Sequence, residues 1–260
     1  MGEVLVKRLL GSGLVAVADI TVSDQSQERL TYLAQTYKIR TTVFNAEAIA
    51  GVQLVILAIK PQHAKEALRG LASYMRDQLF LSIMAGVPMR ALASLLGTKK
   101  IVRSMPNMPA QIGEGMTVWC AATGVSEAEK QSARAVLRLL GREIEVRDEI
   151  MIDAATALSG SGPAYVFDFA AHLIAAAREL GFSAETAKLL VAQTLKGSAQ
   201  LLMESPEDAA ALRQKVTSKG GTTEAAFEVL DKKDFGAAFS EALRRAHERA
   251  KALARLFDRS

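Results

Sequence analysis

Short apolar runs alternate with stretches of helical period through the first half of the chain, an order that predicts a parallel sheet with crossover helices. The runs fall at residues 20–22, 42–44, 54–59, 80–83 and 101–103, with helices expected at 2–10, 27–35, 46–50, 62–75 and 89–96. Gly11-Ser12-Gly13 should stop the first of these helices. Two further runs, 116–121 and 143–146, flank a helix that opens on a Ser126-x-x-Glu129 capping box and is expected to stop at Gly141. Its Ala133, Val136, Leu137 and Leu140 share one face, so it should pack on the sheet. Trp119 and Cys120 lie in an apolar strand and read as core or half-buried surface.

From about Asp148 the pattern is helical only. The chain is therefore expected to divide into an α/β domain at 1–148 and an all-α domain at 149–260. Ser205-Pro206 reads as an N-cap with a first-turn proline, and 239–257 as a long basic amphipathic helix. Segments around 170–177 and 189–202 are apolar on more than one face, which predicts burial against a second subunit.

With half of its 260 residues apolar and 23% charged, the chain does not read as a disordered tail or a collagen. A single cysteine forms no internal disulfide, so a cytoplasmic protein is expected. No apolar run approaches the roughly 20 residues of a membrane span, and no membrane association is expected. The net charge of +4 arises from an excess of Lys and Arg in residues 1–148, which suits a small anionic ligand better than a nucleic acid. The scattered His63, His172 and His247 suggest no metal, and Arg244, Arg245, Arg249, Lys251 and Arg255, interspersed with Glu241 and Glu248, read as a solvated helix face.

Ligands of an open parallel sheet collect outside the carboxyl ends of its strands. The residues following the runs are Ser23-Asp24-Gln25-Ser26, Asn45, Ile59-Lys60-Pro61, Met84-Ala85-Gly86 and Ser104-Met105-Pro106-Asn107. Such small and hydrogen-bonding groups would let a dinucleotide lie across the sheet; the alternative is that Gly and Pro merely punctuate strands. Of the G-x-G-x-x-G turn that opens a dinucleotide fold, only Gly2 fits, as its last glycine, so the first strand and most of that turn are expected to be missing. Asp24 stands at the spacing of an acidic residue that bonds a ribose 2′-hydroxyl, favouring NADH, while Ser23, Gln25 and Ser26 could bond the 2′-phosphate of NADPH.

Two further motifs stand out. In Lys215-Val216-Thr217-Ser218-Lys219-Gly220-Gly221-Thr222-Thr223, glycines and threonines opening a helix point backbone N–H groups and hydroxyls at one spot, an anion site suited to a carboxylate. The plainer reading is a glycine turn with a threonine cap. Leu158-Ser159-Gly160-Ser161-Gly162-Pro163-Ala164-Tyr165 interrupts a helix with small residues, allowing either close approach or a kink.

Together with Ala58-Ile59-Lys60-Pro61, Ala85-Gly86-Val87 and Arg103-Ser104-Met105-Pro106-Asn107, these motifs resemble pyrroline-5-carboxylate reductases from end to end. The resemblance implies an N-terminal Rossmann domain followed by an all-α dimerisation domain, a homodimer through the C-terminal helices and a larger ring. It implies reduction of 1-pyrroline-5-carboxylate to L-proline, the last step of proline synthesis, with NADPH or, alternatively, NADH. By this resemblance Gly2, Ser23, Asp24, Asn45, Ala58, Ile59, Lys60, Pro61 and Ala85 contact the cofactor. Ser218, Gly220, Gly221, Thr222 and Thr223 hold the substrate, with the Thr223 hydroxyl near the ring nitrogen, and Glu149 lies near the substrate. This chain departs from the family in having Lys219 where a proline is usual and Gln25 where many bacterial relatives have an arginine. Two competing readings are a β-hydroxyacid dehydrogenase, which would need a lysine soon after the glycine-rich segment whereas none follows until Lys188, and a non-catalytic dimeric relic without a complete cofactor site.

Overall fold

Leu5, Val6 and Leu9 recur at helical spacing, and their burial makes α1 (Gly2–Ser12) a helix, ended by Gly13 at φ +68°. The computed structural model, which describes residues 1–257, continues with β1 (Thr21–Ser23), α2 (Gln27–Tyr37), β2 (Arg40–Thr42), α3 (Asn45–Ile49), β3 (Leu54–Leu57), α4 (Ala64–Leu68), β4 (Leu79–Ser82) and α5 (Met89–Leu96). Then come β5 (Ile101–Met105), β6 (Gly115–Ala121), α6 (Glu127–Arg138), β7 (Gly141–Glu145), α7 (Ile150–Ala155) and a π-helical turn (Thr156–Gly160). Five helices complete the chain: α8 (Gly162–Glu179), α9 (Ala184–Glu204), α10 (Ala209–Lys215), α11 (Thr222–Lys232) and α12 (Phe235–Arg255).

Two compact units result: Met1–Ser161 together with the terminal stretch from Ala246, and Gly162–Arg245. Strands cease at Glu145, close to the position 148 read from the pattern, but α7 packs on β5 and β6, so the packed units part later in the chain.

In the first unit, β3, β4 and β5 are parallel neighbours, β6 runs antiparallel to β5, and β7 is parallel to β6. The reversal at β6 departs from the all-parallel expectation. Its cause is the short link between β5 and β6, a single 3₁₀ turn at Met108–Ile112, where a parallel return requires a crossover of a dozen or more residues. β1 and β2 pair in parallel with each other only, and the apolar face of α1 joins Ile20 and Ile39 to Leu79 and Leu81 in one core.

The helix expected at 62–75 is broken. Pro61–His63 and Leu71–Tyr74 are 3₁₀ turns around α4, because Arg69 is extended and Gly70 takes φ +77°. The capping box forms as read, yet Gly141 does not stop α6: the helix ends at Arg138, and Gly141 opens β7 at φ +135° against Gly115. Trp119 and Cys120 are buried, and burial pushes the Cys120 thiol up from its ordinary value.

At the head of α1 the Glu3 carboxylate accepts from the Arg29 guanidinium, from Tyr37 Oη at 2.8 Å and from Tyr32 Oη at 3.1 Å. This fastens α1 to α2. The bond from Arg29, followed by that from Tyr37, holds the Glu3 carboxyl below its ordinary 4.5, while the Glu3 carboxylate pushes the Tyr37 phenol up to about 12.

Two measurements test this packing. A Cβ added to Gly141 would lie 2.2 Å from the Gly115 carbonyl oxygen, and φ there is positive, so Gly141→Ala should lower unfolding free energy by about 2 kcal/mol or more in urea titrations. Wild-type stability would mean that the β6–β7 pairing is not as close as described. NMR titration should find the Glu3 carboxyl below 4.5 and moving back toward it in Arg29→Met. The stabilisation from this depressed group is fully present above its unfolded value and is lost as pH falls through the folded one; an unshifted Glu3 would show that the pair does not persist in solution.

Candidate functional site

In the first unit the head of α1 lies beside the carboxyl end of β3, the edge at which the parallel strands β3, β4 and β5 all end. A Cβ on Gly2 would sit 3.3 Å from the Ala58 Cβ, so Gly2 brings the first turn of α1 close to the end of β3. Glu3 and Arg29 bring the heads of α1 and α2 together there, and α2 starts from the end of β1. The first intrahelical bond of α1 runs from Leu5 N–H to Met1 C=O, and no side chain caps the helix. Its N–H groups at Gly2, Glu3 and Val4 are thus available to a phosphate. The Glu3 carboxylate, which would repel one, is held aside by Arg29 and the two tyrosines.

The other expected cofactor residues lie just after β1, β3 and β4 and at the start of α3. Lys60 is exposed, and among the described residues its ammonium has no ion-pair partner. Pro61 opens the 3₁₀ turn that follows it, Ile59 packs into the core and Ala58 is exposed. Asn45 donates one side-chain N–H to Ala67 C=O at 2.9 Å, which orients the amide and leaves its oxygen and second N–H for a ligand. Asp24 is exposed, and one of its oxygens accepts Ser26 N–H at 2.9 Å; Ser26 Oγ in turn caps α2 through Arg29 N–H, and Ser23 is half-buried. On the turn after β4, Met84, Gly86, Val87 and Pro88 are buried and Ala85 is half-exposed. Gly2, the small Ala58 and Ala85, the open helix head and Lys60 are a set of groups that a nicotinamide dinucleotide fits.

Arg103, a motif residue with no role expected from the sequence, organises this edge of the molecule. Only 1% exposed, it donates to Glu149 Oε1 at 2.9 Å and to Asp153 Oδ1 at 2.7 Å. The same Glu149 oxygen accepts the N–H of Met89, the first residue of α5, at 2.7 Å. Glu149, expected near the substrate, thus has this oxygen committed to two donors within its own unit. The available signal was a lone arginine inside the apolar run Ile101-Val102-Arg103, a position that demands paired carboxylates, though nothing in the sequence names them.

The glycine-rich motif at 158–165 forms the π turn. Ser161 N–H reaches Thr156 C=O, Asn107 donates to Ser159 C=O at 3.0 Å while accepting Met116 N–H, and a Cβ on Gly160 would lie 2.8 Å from Met105 Cε. Close approach accounts for Gly160, whereas Gly162 has open space around it and follows the π turn that interrupts the helix.

In the second unit, the loop before α11 divides its donors. Gly221 N–H goes to Ser218 C=O at 3.0 Å, and Gly220 N–H to the Glu224 carboxylate at 2.6 Å. The two glycine N–H groups expected to face an anion are therefore satisfied inside the loop. A Cβ on Gly221 would lie 2.5 Å from Ser218 Oγ, which explains the glycine. What remains open is the helix head: α11 has no side-chain cap, and among the described residues the Thr222 and Thr223 hydroxyls make no hydrogen bond. Ser218 is exposed and Thr223 half-buried. Glu224, three residues past the N-cap, was missed although Glu at that position commonly bonds back over a helix start.

Residues 149–253 match the family model for pyrroline-5-carboxylate reductase dimerisation, and residues 1–86 that for NADP oxidoreductase, coenzyme F420-dependent. The pyrroline-5-carboxylate reductase of Pseudomonas aeruginosa is 39% identical over 256 residues, 98% of this chain and 93% of that protein. Among solved structures, a pyrroline-5-carboxylate reductase from Coxiella burnetii superposes with TM-score 0.89 at 35% identity, covering 97% of this chain and 94% of that one. The Plasmodium falciparum pyrroline carboxylate reductase with NADP bound gives TM-score 0.89 at 29% identity, covering 98% and 94%. The chain belongs to the pyrroline-5-carboxylate reductase family.

Proposed function

We propose that this chain reduces 1-pyrroline-5-carboxylate to L-proline with NADPH, and the observation that carries this reading is the head of α11. Its free N–H groups and the unbonded hydroxyls of Thr222 and Thr223 form a compact donor set for a carboxylate and an adjacent ring nitrogen. The glycine N–H groups steady the loop instead. In the first unit, the α1 head, Lys60 and the Asn45 oxygen would hold phosphates and ribose, and Ala85 would face the nicotinamide. When bound, the reduced dinucleotide supplies a hydride to the imine carbon.

The chain's own residues have little chemistry to perform. A cyclic imine is partly protonated near neutral pH, so hydride addition to the iminium gives the amine without a further proton. Fixing the carboxylate at Thr222 and Thr223 sets the reacting carbon, and positioning supplies most of the acceleration. Thr223 cannot serve as a strong acid, since an alcohol's proton is too tightly held; its hydroxyl orients the nitrogen and can relay a proton from water.

The helical unit supports a homo-oligomer. Phe167, Leu173, Leu189, Leu201 and Val229 are large apolar side chains left exposed in a single chain, consistent with a homodimer through the C-terminal helices and, further, a ring of dimers. Among the described residues no helix is long and apolar enough to cross a membrane, and we assign the enzyme to the cytoplasm.

Following NADPH absorbance with 1-pyrroline-5-carboxylate as substrate, Thr223→Ala should lower kcat by one to two orders of magnitude, roughly the effect of one oriented hydrogen bond, and Thr223→Ser should retain most of it. Wild-type turnover in Thr223→Ala would remove the residue from the mechanism. Asp24→Ser takes a negative charge away from the expected 2′-phosphate position and should raise the kcat/KM ratio of NADPH over NADH by about tenfold. An unchanged ratio would place the adenosine end elsewhere.

A further inference from the structure

A helix head normally finds its cap at its own N-terminal residue, but α5 begins after Pro88, which offers no side-chain donor or acceptor. Its cap comes from 60 residues away, where Glu149 Oε1 accepts Met89 N–H at 2.7 Å. That same oxygen accepts from Arg103, whose other terminal nitrogen is fixed by Asp153. The carboxylate is thus aimed by a guanidinium that is itself gripped from a second point on α7.

What this holds is the link from β4 to α5. β4 lies between β3 and β5, all three parallel, so the link emerges at the carboxyl edge where ligands of such sheets bind. Gly86 has φ +71°, and a Cβ there would come within 3.0 Å of Leu253 Cβ, so the last turns of α12 close one side of the link while Glu149 holds the far end at Met89. Ala85 is the half-exposed residue between buried neighbours.

We propose that Glu149 and Arg103 are positioning residues for the cofactor: Arg103 seats the Glu149 carboxylate on the first N–H of α5, and this fixes the Ala85 turn against which the nicotinamide end rests. The inference rests on the cofactor edge described above, and it gives Glu149 a role through α5 rather than through contact with the imine. Asp153 shares Arg103 but does not touch α5, which separates positioning from simple stability.

The test compares NADPH dissociation constants, by fluorescence titration, with KM and kcat for both substrates and with melting temperatures. Glu149→Ala should weaken NADPH binding by about tenfold, since a small displacement of a contact surface is enough for that, and kcat at saturation should stay within about threefold. Glu149→Gln, which keeps an oxygen acceptor for Met89 N–H and Arg103, should recover most of the affinity. Asp153→Asn, which keeps an oxygen for Arg103 but removes its charge, should lower the melting temperature yet leave NADPH affinity within about twofold. Met89→Pro removes the N–H at a first-turn position that accepts proline, with Met89→Ala as the control for the packed side chain, and relative to that control it should weaken NADPH binding as Glu149→Ala does even if the latter fails to fold. Unchanged NADPH affinity in Met89→Pro or Glu149→Ala would overturn the proposal, as would an equal loss in Asp153→Asn. A rise confined to KM for the imine would overturn it in favour of direct substrate contact by Glu149. If the wild-type chain itself fails to bind NADPH, the cofactor reading falls and this inference with it.

Discussion

A guanidinium that is 1% exposed cannot remain charged without carboxylates at bonding distance, and this requirement ties the first unit together. Arg103 sits in β5, its partners at the start of the helical sequence, and one of those partners closes α5. Removing one partner of such a pair costs about 3–5 kcal/mol, a large share of the roughly 5–15 kcal/mol by which a domain is stable. The same sum explains why β5 can carry an arginine among Ile101, Val102 and Ser104 at all. It also explains why α7 and the π turn stay with the sheet rather than with the helices that follow them.

The helix heads show how the fold distributes its donors. α2, α6, α9 and α10 are closed by a serine or aspartate at their own N-cap, and α5 by Glu149. α1 and α11 are left without a side-chain cap, as are the short α3 and α4. An uncapped head keeps several N–H groups and the positive end of the helix dipole available, and the heads of α1 and α11 belong to segments that carry glycine where a Cβ would crowd a neighbour, Gly2 against Ala58 and Gly221 against Ser218. On the proposed reading, anionic groups on both substrates would be met by backbone, while charged side chains serve to aim it.

Much of this was legible locally. Capping boxes, strand cores and the turn residues after each strand follow from neighbours within a few positions, and Ser126 with Glu129, or α5 from Met89 to Leu96, came out as the pattern dictates. What escaped depends on distant partners or on backbone angle. A glycine at 70 does not reveal from sequence that it will turn left-handed and split a helix, and the direction of β6 depends on how short its link is relative to a crossover. The pairing of Arg103 with residues 46 and 50 positions later has no local signature. In the loop before α11 the residue types were readable, but the allocation of each N–H was not: Gly220 and Gly221 read as donors to a ligand, whereas Glu224 and Ser218 take them.

The open head of α11 raises a question of rigidity that the single chain does not answer alone. Orientation accelerates a reaction only where the orienting groups are held, yet α8, α10 and α11 have no buried residue, and α9 buries only Ala187 and Val191. A helical unit that hides so little of its own apolar surface has no core with which to fix a catalytic loop. The dimerisation family to which residues 149–253 belong supplies the missing half, since a second copy covering Phe167, Leu189 and Leu201 would bury what one chain leaves open. On the proposed reading, oligomerisation would be a condition of catalysis: a second copy that covered these apolar faces would also steady the helices that carry Thr222 and Thr223.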